Sequence, residues 1–168
     1  VFKAGEEVLT VAFEKFAPEG FQVTKAPYPV ISYERAMLEF GTDKPDLRNP
    51  LRIIDLSDFF GRCSFKPFHN KTVRAIKIHG LQSRGFHEKM LKFAMDIGMP
   101  GLGYLEVVAA GSADGLVYKG PIDKFIPDEL KAELRELAGL EKDDTIFFIA
   151  DKKARAPSLA GQIRNELG

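Results

Sequence analysis

A single cysteine, Cys63, stands in the whole chain, so no internal disulfide can staple the fold. The three histidines, His69, His79 and His87, are scattered, and with one thiol they reach no metal-ligand spacing. No metal site is expected. Long hydrophobic runs are missing as well: the longest uncharged stretches, such as Ile97 to Tyr104, are too short and too rich in Gly and Pro to span the roughly 30 Å of a bilayer core. Neither charge sign is in excess, with 24 basic and 24 acidic residues, which argues against a chain built solely to coat nucleic acid but leaves room for a local basic patch. The opening Val1-Phe2-Lys3-Ala4-Gly5-Glu6-Glu7 has no starting Met and no basic-then-apolar leader pattern, so the expectation is an internal piece of something larger. Internal repeats and low-complexity segments are absent. A single unpaired cysteine is compatible with a reducing cytosol.

What is present reads as a folded globular chain. Hydrophobic residues make up 45% and charged residues 29% of 168 positions, near the globular average, enough for one ordinary domain with an attached piece. Leu9, Ala12, Phe13 and Phe16 recur at helical spacing until Pro18 and Gly20, and Val23 to Val30 reads as extended because Pro27 and Pro29 bar a helix. Ser32 precedes a short helix through Phe40 that Gly41 ends. Residues 42–50 form a polar loop at a composition boundary. Beyond it, Arg52 to Phe60 mixes a short strand with a helical turn, and strands are expected at Ser64 to Phe68 and Val73 to His79. Ser83 caps a helix with the face Phe86, Met90, Phe93, Ala94 and Ile97, ended by Gly98. Strands at Gly103 to Ala109 and Leu116 to Lys119 are joined by Gly111 to Gly115, whose glycines and Asp suit a hairpin. Pro127 is expected as the first residue of a helix that buries Leu130, Leu134 and Leu137 before Gly139. Thr145 to Ala150 is a continuous apolar run, expected to be a strand buried on both faces, and a last helix covers Pro157 to Leu167. This order predicts an α+β fold, a two-layer sandwich of mainly antiparallel sheet with helices packed on one face.

No complete active site is legible. Gly98, Gly101 and Gly103 lack the third spacing and the helix start of a phosphate-cradling loop. His69, His79 and His87 lie on a turn, a strand end and a helix and read as surface or satisfied histidines, and Cys63, although it follows Arg62, reads as a buried thiol. Two segments stand out. Asp43, Lys44, Asp46 and Arg48 place four charges of mixed sign on a stiff loop that holds Pro45 and Pro50, which implies either fixed salt bridges or contact with a charged ligand. Lys152, Lys153 and Arg155 stand at the start of a helix, the end where cations are unfavourable by a few tenths of a kcal/mol each, a cost that a nearby phosphate backbone would reverse. A solvated basic turn is the alternative.

The loop also carries a resemblance. Tyr28-Pro29-Val30-Ile31-Ser32-Tyr33, Ala36-Met37 and Gly41-Thr42-Asp43-Lys44-Pro45-Asp46-Leu47-Arg48 resemble the signature of bacterial-type aspartyl-tRNA synthetases, with Thr42 where that family usually has Ser. The likeness continues through Gly98, Gly101-Leu102 and Tyr104, Lys119-Gly120-Pro121-Ile122, Lys124-Phe125, Asp144 to Asp151, Leu159-Ala160-Gly161, Arg164 and Leu167-Gly168, so it covers nearly the whole chain. It implies a parent enzyme that uses ATP with Mg to make aspartyl-adenylate and transfers the aspartyl group to tRNA. On this resemblance residues 1–51 are a flanking helical strip of the class II catalytic domain after its second motif. Residues 52–168 are then the insertion domain, called GAD, with the start of the return to the catalytic domain.

The family's ATP and aspartate motifs have no counterpart here, since neither a Phe-Arg-Asp-Glu-Asp run nor a Gly-Gly-Gly-Ser-Ile-Arg run occurs. No catalytic residue can therefore be assigned, no cofactor is expected on the piece itself, and the piece alone is expected to be inert. Asp43, Lys44, Asp46 and Arg48 match the signature loop without an assigned step. The resemblance implies aspartate tRNA as partner, leaves asparagine tRNA open as a second one, and implies a homodimeric cytoplasmic parent with no membrane or DNA partner. Lys152, Lys153 and Arg155 are the tRNA-contact candidates. Two other readings are kept: the amidotransferase subunit that carries the same insertion domain, and a protein-interaction module.

Overall fold

The computed structural model describes residues 2–110 and 115–168. The chain divides into a first unit ending at Ser32 and a second unit, Tyr33–Gly168.

In the first unit, helix α1 (Phe2–Phe16) buries none of its residues. Phe2, Val8, Val11, Phe13 and Phe16 all remain exposed. The segment after it folds back on the helix: the Tyr28 backbone N–H donates to Glu6 Oε1 at 2.9 Å, and the Tyr28 and Thr10 hydroxyls are hydrogen-bonded at 2.9 Å.

The second unit opens with α2 (Tyr33–Glu39), β1 (Ile53–Asp55) and the short helix α3 (Ser57–Gly61). There follow β2 (Thr72–His79), α4 (Arg84–Asp96), β3 (Gly103–Ala109), β4 (Leu116–Lys119), α5 (Asp128–Ala138), β5 (Asp144–Asp151) and α6 (Ala156–Leu167). The strands form one sheet in the order β1-β2-β5-β3-β4 with every neighbour antiparallel. The apolar run of β5 becomes the central strand, and all eight of its residues are buried. Both of its faces meet packed helices, and that is why it carries no polar alternation.

The alternation of β5 sorts two cores. Ile146, Phe148 and Ala150 point with Val73, Ala75, Leu105 and Val107 toward α3 and α5. Phe147 and Ile149 point with Ile53 and Ile76 toward Met90 and Ala94 of α4 and Leu159, Ala160 and Ile163 of α6. The first core is aromatic: Phe60 meets Phe59, Phe68 and Phe148 edge-on at 5.1, 4.9 and 5.1 Å between ring centres, the arrangement the ring quadrupoles favour. Helices thus cover both faces, and the expected two-layer sandwich is corrected to three layers. Neither face of β2 is cleanly polar, and each needs a cover to stay out of water.

Three local expectations are corrected too. Ser64 to Phe68 is not a strand but a 3-10 turn over Lys66–Phe68, because Pro67 fixes φ and supplies no ladder donor. Pro127 is the residue before α5 rather than its first helical residue. Leu137 is 51% exposed and Ala138 is buried in its place, since the position four after Leu134 is the one that faces the sheet. Ser83 does cap α4, its Oγ accepting from Phe86 N at 3.2 Å. The antiparallel β3–β4 pair is present, while residues 111–114 of its expected connection lie outside the described residues.

Candidate functional site

The signature loop leaves α2 through Gly41, whose φ is +69°. A Cβ there would lie 2.1 Å from the Pro157 carbonyl oxygen and 2.5 Å from the Gly161 nitrogen, and a Cβ on Gly161 would lie 2.7 Å from the Gly41 oxygen. Two glycines are what allow this backbone to lie directly on α6. Further along, Arg164 of α6 is fully buried. Its Nε donates to the Leu51 carbonyl at 2.8 Å and its Nη2 to those of Asn49 and Asp46 at 2.6 and 3.0 Å. Asn49 reciprocates, its Nδ2 donating to the Arg164 carbonyl at 3.0 Å while its Oδ1 accepts from Leu51 N at 3.0 Å. The guanidinium also lies 5.1 Å from the centre of the Phe40 ring, a cation–π contact. Burial and the nearby Arg52 push the Arg164 pKa below its ordinary value, yet a guanidinium keeps its proton at neutral pH.

On this anchored backbone the four charges point outward. Arg48 grips Asp46 in a fork, Nε to Oδ1 at 2.9 Å and Nη2 to Oδ2 at 2.6 Å, and its backbone N–H also donates to Oδ1 at 3.0 Å. Hydrogen bonds from Arg48 hold the Asp46 carboxyl at a pKa of about 2. Lys44 Nζ lies 3.6 Å from Asp43 Oδ2, with both side chains well exposed. Such exposed pairs shape the loop more than they stabilise it. Between the loop and the C-terminal end of α6 lies an open cleft of about 430 Å³, bordered by Thr42, Lys44, Arg48, Asn49 and Asn165.

The basic turn lies at the other end of α6, about 18 Å away at 1.5 Å per residue, so the two candidate segments do not converge on one site. Lys152, Lys153 and Arg155 are all exposed. Arg155 is committed to the fold: Nη1 lies 3.4 Å from Asp151 Oδ2 and Nη2 donates to the Gly98 carbonyl at 3.4 Å. Among the described residues no carboxylate pairs with Lys152 or Lys153.

Two histidines have carboxylate partners that are remote in sequence. His79 Nδ1 lies 2.9 Å from Asp144 Oδ1 across the β2–β5 pair, and His87 Nε2 lies 3.0 Å from Glu106 Oε1. Burial pushes the Cys63 thiol up despite Arg62, so it stays protonated. Burial also pushes Asp144 upward, but the Glu141 N–H, the His79 ring and Lys77 outweigh it, and its pKa ends below the ordinary 3.8. A depressed carboxyl stabilises the fold above its unfolded pKa and loses that contribution as pH falls through the folded value. Asp144→Asn is therefore expected to lower the unfolding free energy at pH 7 but much less at pH 2 to 3, in chemical denaturation at both pH values. An equal loss at both would remove the ionic explanation.

Sequence reasoning missed the anchoring residues Gly41, Asn49, Gly161 and Arg164 as a set. One signal was available: Ala160, Ile163, Arg164 and Leu167 share the apolar face of α6, and a lone arginine on such a face must find partners inside.

Fold and site define an α+β domain with an open antiparallel sheet and a loop clamped to its last helix. The GAD domain family matches residues 66–159, and the chain belongs to that family. Over the whole chain it is 45% identical to the aspartate–tRNA(Asp/Asn) ligase of Methylorubrum populi and 38% identical to that of Anaplasma phagocytophilum, covering 29% and 28% of those proteins. The ligase of the same name from Rickettsia bellii is 37% identical over 99% of the chain and 28% of its own length. The chain thus spans less than a third of the curated relatives it matches.

Proposed function

We propose that this chain is the accessory region of an aspartate–tRNA ligase, with residues 1–51 belonging to the catalytic domain and residues 52–168 forming mainly the GAD insertion. What carries the reading is the end-to-end likeness: whole-chain identity of 45% to a ligase of that name runs through both the signature loop and the GAD match. The same likeness favours the ligase over the amidotransferase subunit. The exposed apolar side of α1 supports it as well, since a contiguous apolar face calls for a cover. In this reading the parent uses ATP with Mg, acts as a cytoplasmic homodimer and charges aspartate tRNA. The relatives' shared name extends the proposal to asparagine tRNA. Aspartylation of purified asparagine tRNA by the full-length enzyme tests that extension, and charging of aspartate tRNA alone would restrict it.

The chain by itself carries neither an ATP nor an aspartate motif. Its ATP–pyrophosphate exchange with aspartate is expected to equal the no-enzyme background, and exchange above background would show an adenylating site within these residues.

The accessory role is tRNA contact through the exposed ammonium groups of Lys152 and Lys153, with Asp43, Lys44, Asp46 and Arg48 shaping the junction on α6. Lys152→Gln/Lys153→Gln is expected to weaken tRNA binding about tenfold at low salt and to reduce the salt slope by one to two, measured by titration with labelled aspartate tRNA. Arg155 is left intact because its removal would also unpair Asp151. An unchanged affinity and slope would exclude this face.

A further inference from the structure

The antiparallel register gathers more than the basic turn at one end of the sheet. Thr72, at the start of β2, pairs with Asp151, at the end of β5, and Gly103, at the start of β3, pairs with Phe148. Lys71, the Gly101–Gly103 entry to β3 and the turn Lys152–Arg155 therefore share that end. Beside them opens a cleft of about 450 Å³, bordered by Phe65, Phe68, Phe125, Lys71, Lys124 and the backbone of Gly101. The Phe65 and Phe125 rings stand 4.5 Å apart at a tilt of 39°, and Lys124 Nζ sits 5.0 Å from the Phe125 ring centre. No carboxylate is among the residues bordering the cleft. The nearest acid in sequence, Asp123, is bound to Lys131 at 3.0 Å. Lys71 and Lys124 make no salt bridge among the described residues.

We infer that this cleft takes an unstacked nucleotide of single-stranded RNA, its base against Phe65 and Phe125 and its phosphate on Lys71 and Lys124. The inference deepens the RNA-contact reading above and rests on it. Aromatic faces beside unpaired cations are the combination that holds single-stranded nucleic acid, since every base has a π-face and every linkage a negative charge. The cleft lies within the 300–1,000 Å³ typical of ligand sites. The rest of the lining, Leu91, Leu102 and Ile122 among it, is apolar and suits the face of a base, while Lys71 and Lys124 add a positive charge that an aliphatic occupant would leave unmatched; a duplex would not present a free base face to the rings.

The test is a titration of the full 168-residue chain with a fluorescein-labelled RNA hexamer, an abasic hexamer of the same charge and a blocked acidic hexapeptide, at low salt. The expected result is that the RNA hexamer binds at least ten times more tightly than the abasic one. Phe125→Leu, which keeps apolar volume but removes the ring, is expected to cost about tenfold on the RNA hexamer and nothing on the abasic one. Amide shifts on adding RNA to the unmutated chain give a readout that does not depend on the variant folding, and are expected at Gly101, Lys124 and Phe125. Equal binding of both hexamers, or shifts confined to Lys152 and Lys153, would overturn the cleft while the basic-turn contact stood. Tighter binding of the peptide would replace the occupant, and absence of RNA binding at tens of micromolar would overturn both.

Discussion

Arg164→Met is expected to lower the stability of the folded chain by about 3 kcal/mol, a melting temperature fall of about 10 °C. The side chain volume is nearly retained, so the loss isolates the guanidinium. Three carbonyls, those of Asp46, Asn49 and Leu51, receive hydrogen bonds from this one fully buried group, and a hydrogen bond made by a charged donor contributes about 1.5–3 kcal/mol. Arg164→Lys is not expected to rescue it: a single ammonium cannot reach three acceptors spread across a planar fork, and it leaves a compact charge in the same dry place. Because the bonds tie α6 to the loop, limited proteolysis should open the chain first between residues 42 and 51 in the Met variant. A melting temperature within about 2 °C of the parent would show that the carbonyls find other donors and that the clamp is dispensable.

Gly41→Ala is expected to be at least as damaging, about 3 kcal/mol or more. Its methyl group would fall 2.1 Å from a backbone carbonyl that cannot move aside without shifting α6, and the residue would also be held at a φ of +69°. Gly161→Ala provides the contrasting sign test. An alanine inside a helix contributes up to about 1 kcal/mol over glycine, so on propensity alone it would stabilise. Its Cβ would sit 2.7 Å from the Gly41 oxygen, and a net loss smaller than that of Gly41→Ala is expected. Stabilisation by Gly161→Ala in thermal or chemical denaturation would mean that the loop does not lie on the helix as described.

Both effects concern how the signature loop is held. The loop's mixed charges suggested either a turn or a ligand contact. The geometry uses Asp46 and Arg48 to close the turn on itself, and turns Lys44 outward with 87% of its side chain exposed. The basic turn was legible as three cations before a helix, but only packing separates Arg155, tied to Asp151 and Gly98, from the two lysines that pair with no carboxylate among the described residues. The aromatic cleft was not legible, because Phe65, Gly101 and Phe125 lie far apart in the chain and Ser64 to Phe68 read as a strand.

Sequence alone determined most elements of this domain and its family likeness. Periodicity marked α4 and α5, Gly98 and Gly139 marked their ends, and the uninterrupted apolar run of Thr145 to Ala150 announced a strand with no wet face. Those signals are local, set by propensity and by which side of an element must leave water. Only the tertiary structure decided that helices cover both faces of the sheet, that Arg164 donates to three carbonyls of a loop more than a hundred residues away, and that Lys71 and Lys124 border one cleft with Phe65 and Phe125. Each depends on which surfaces meet, a choice made by burial and hydrogen-bond satisfaction over the whole chain rather than by neighbouring residues.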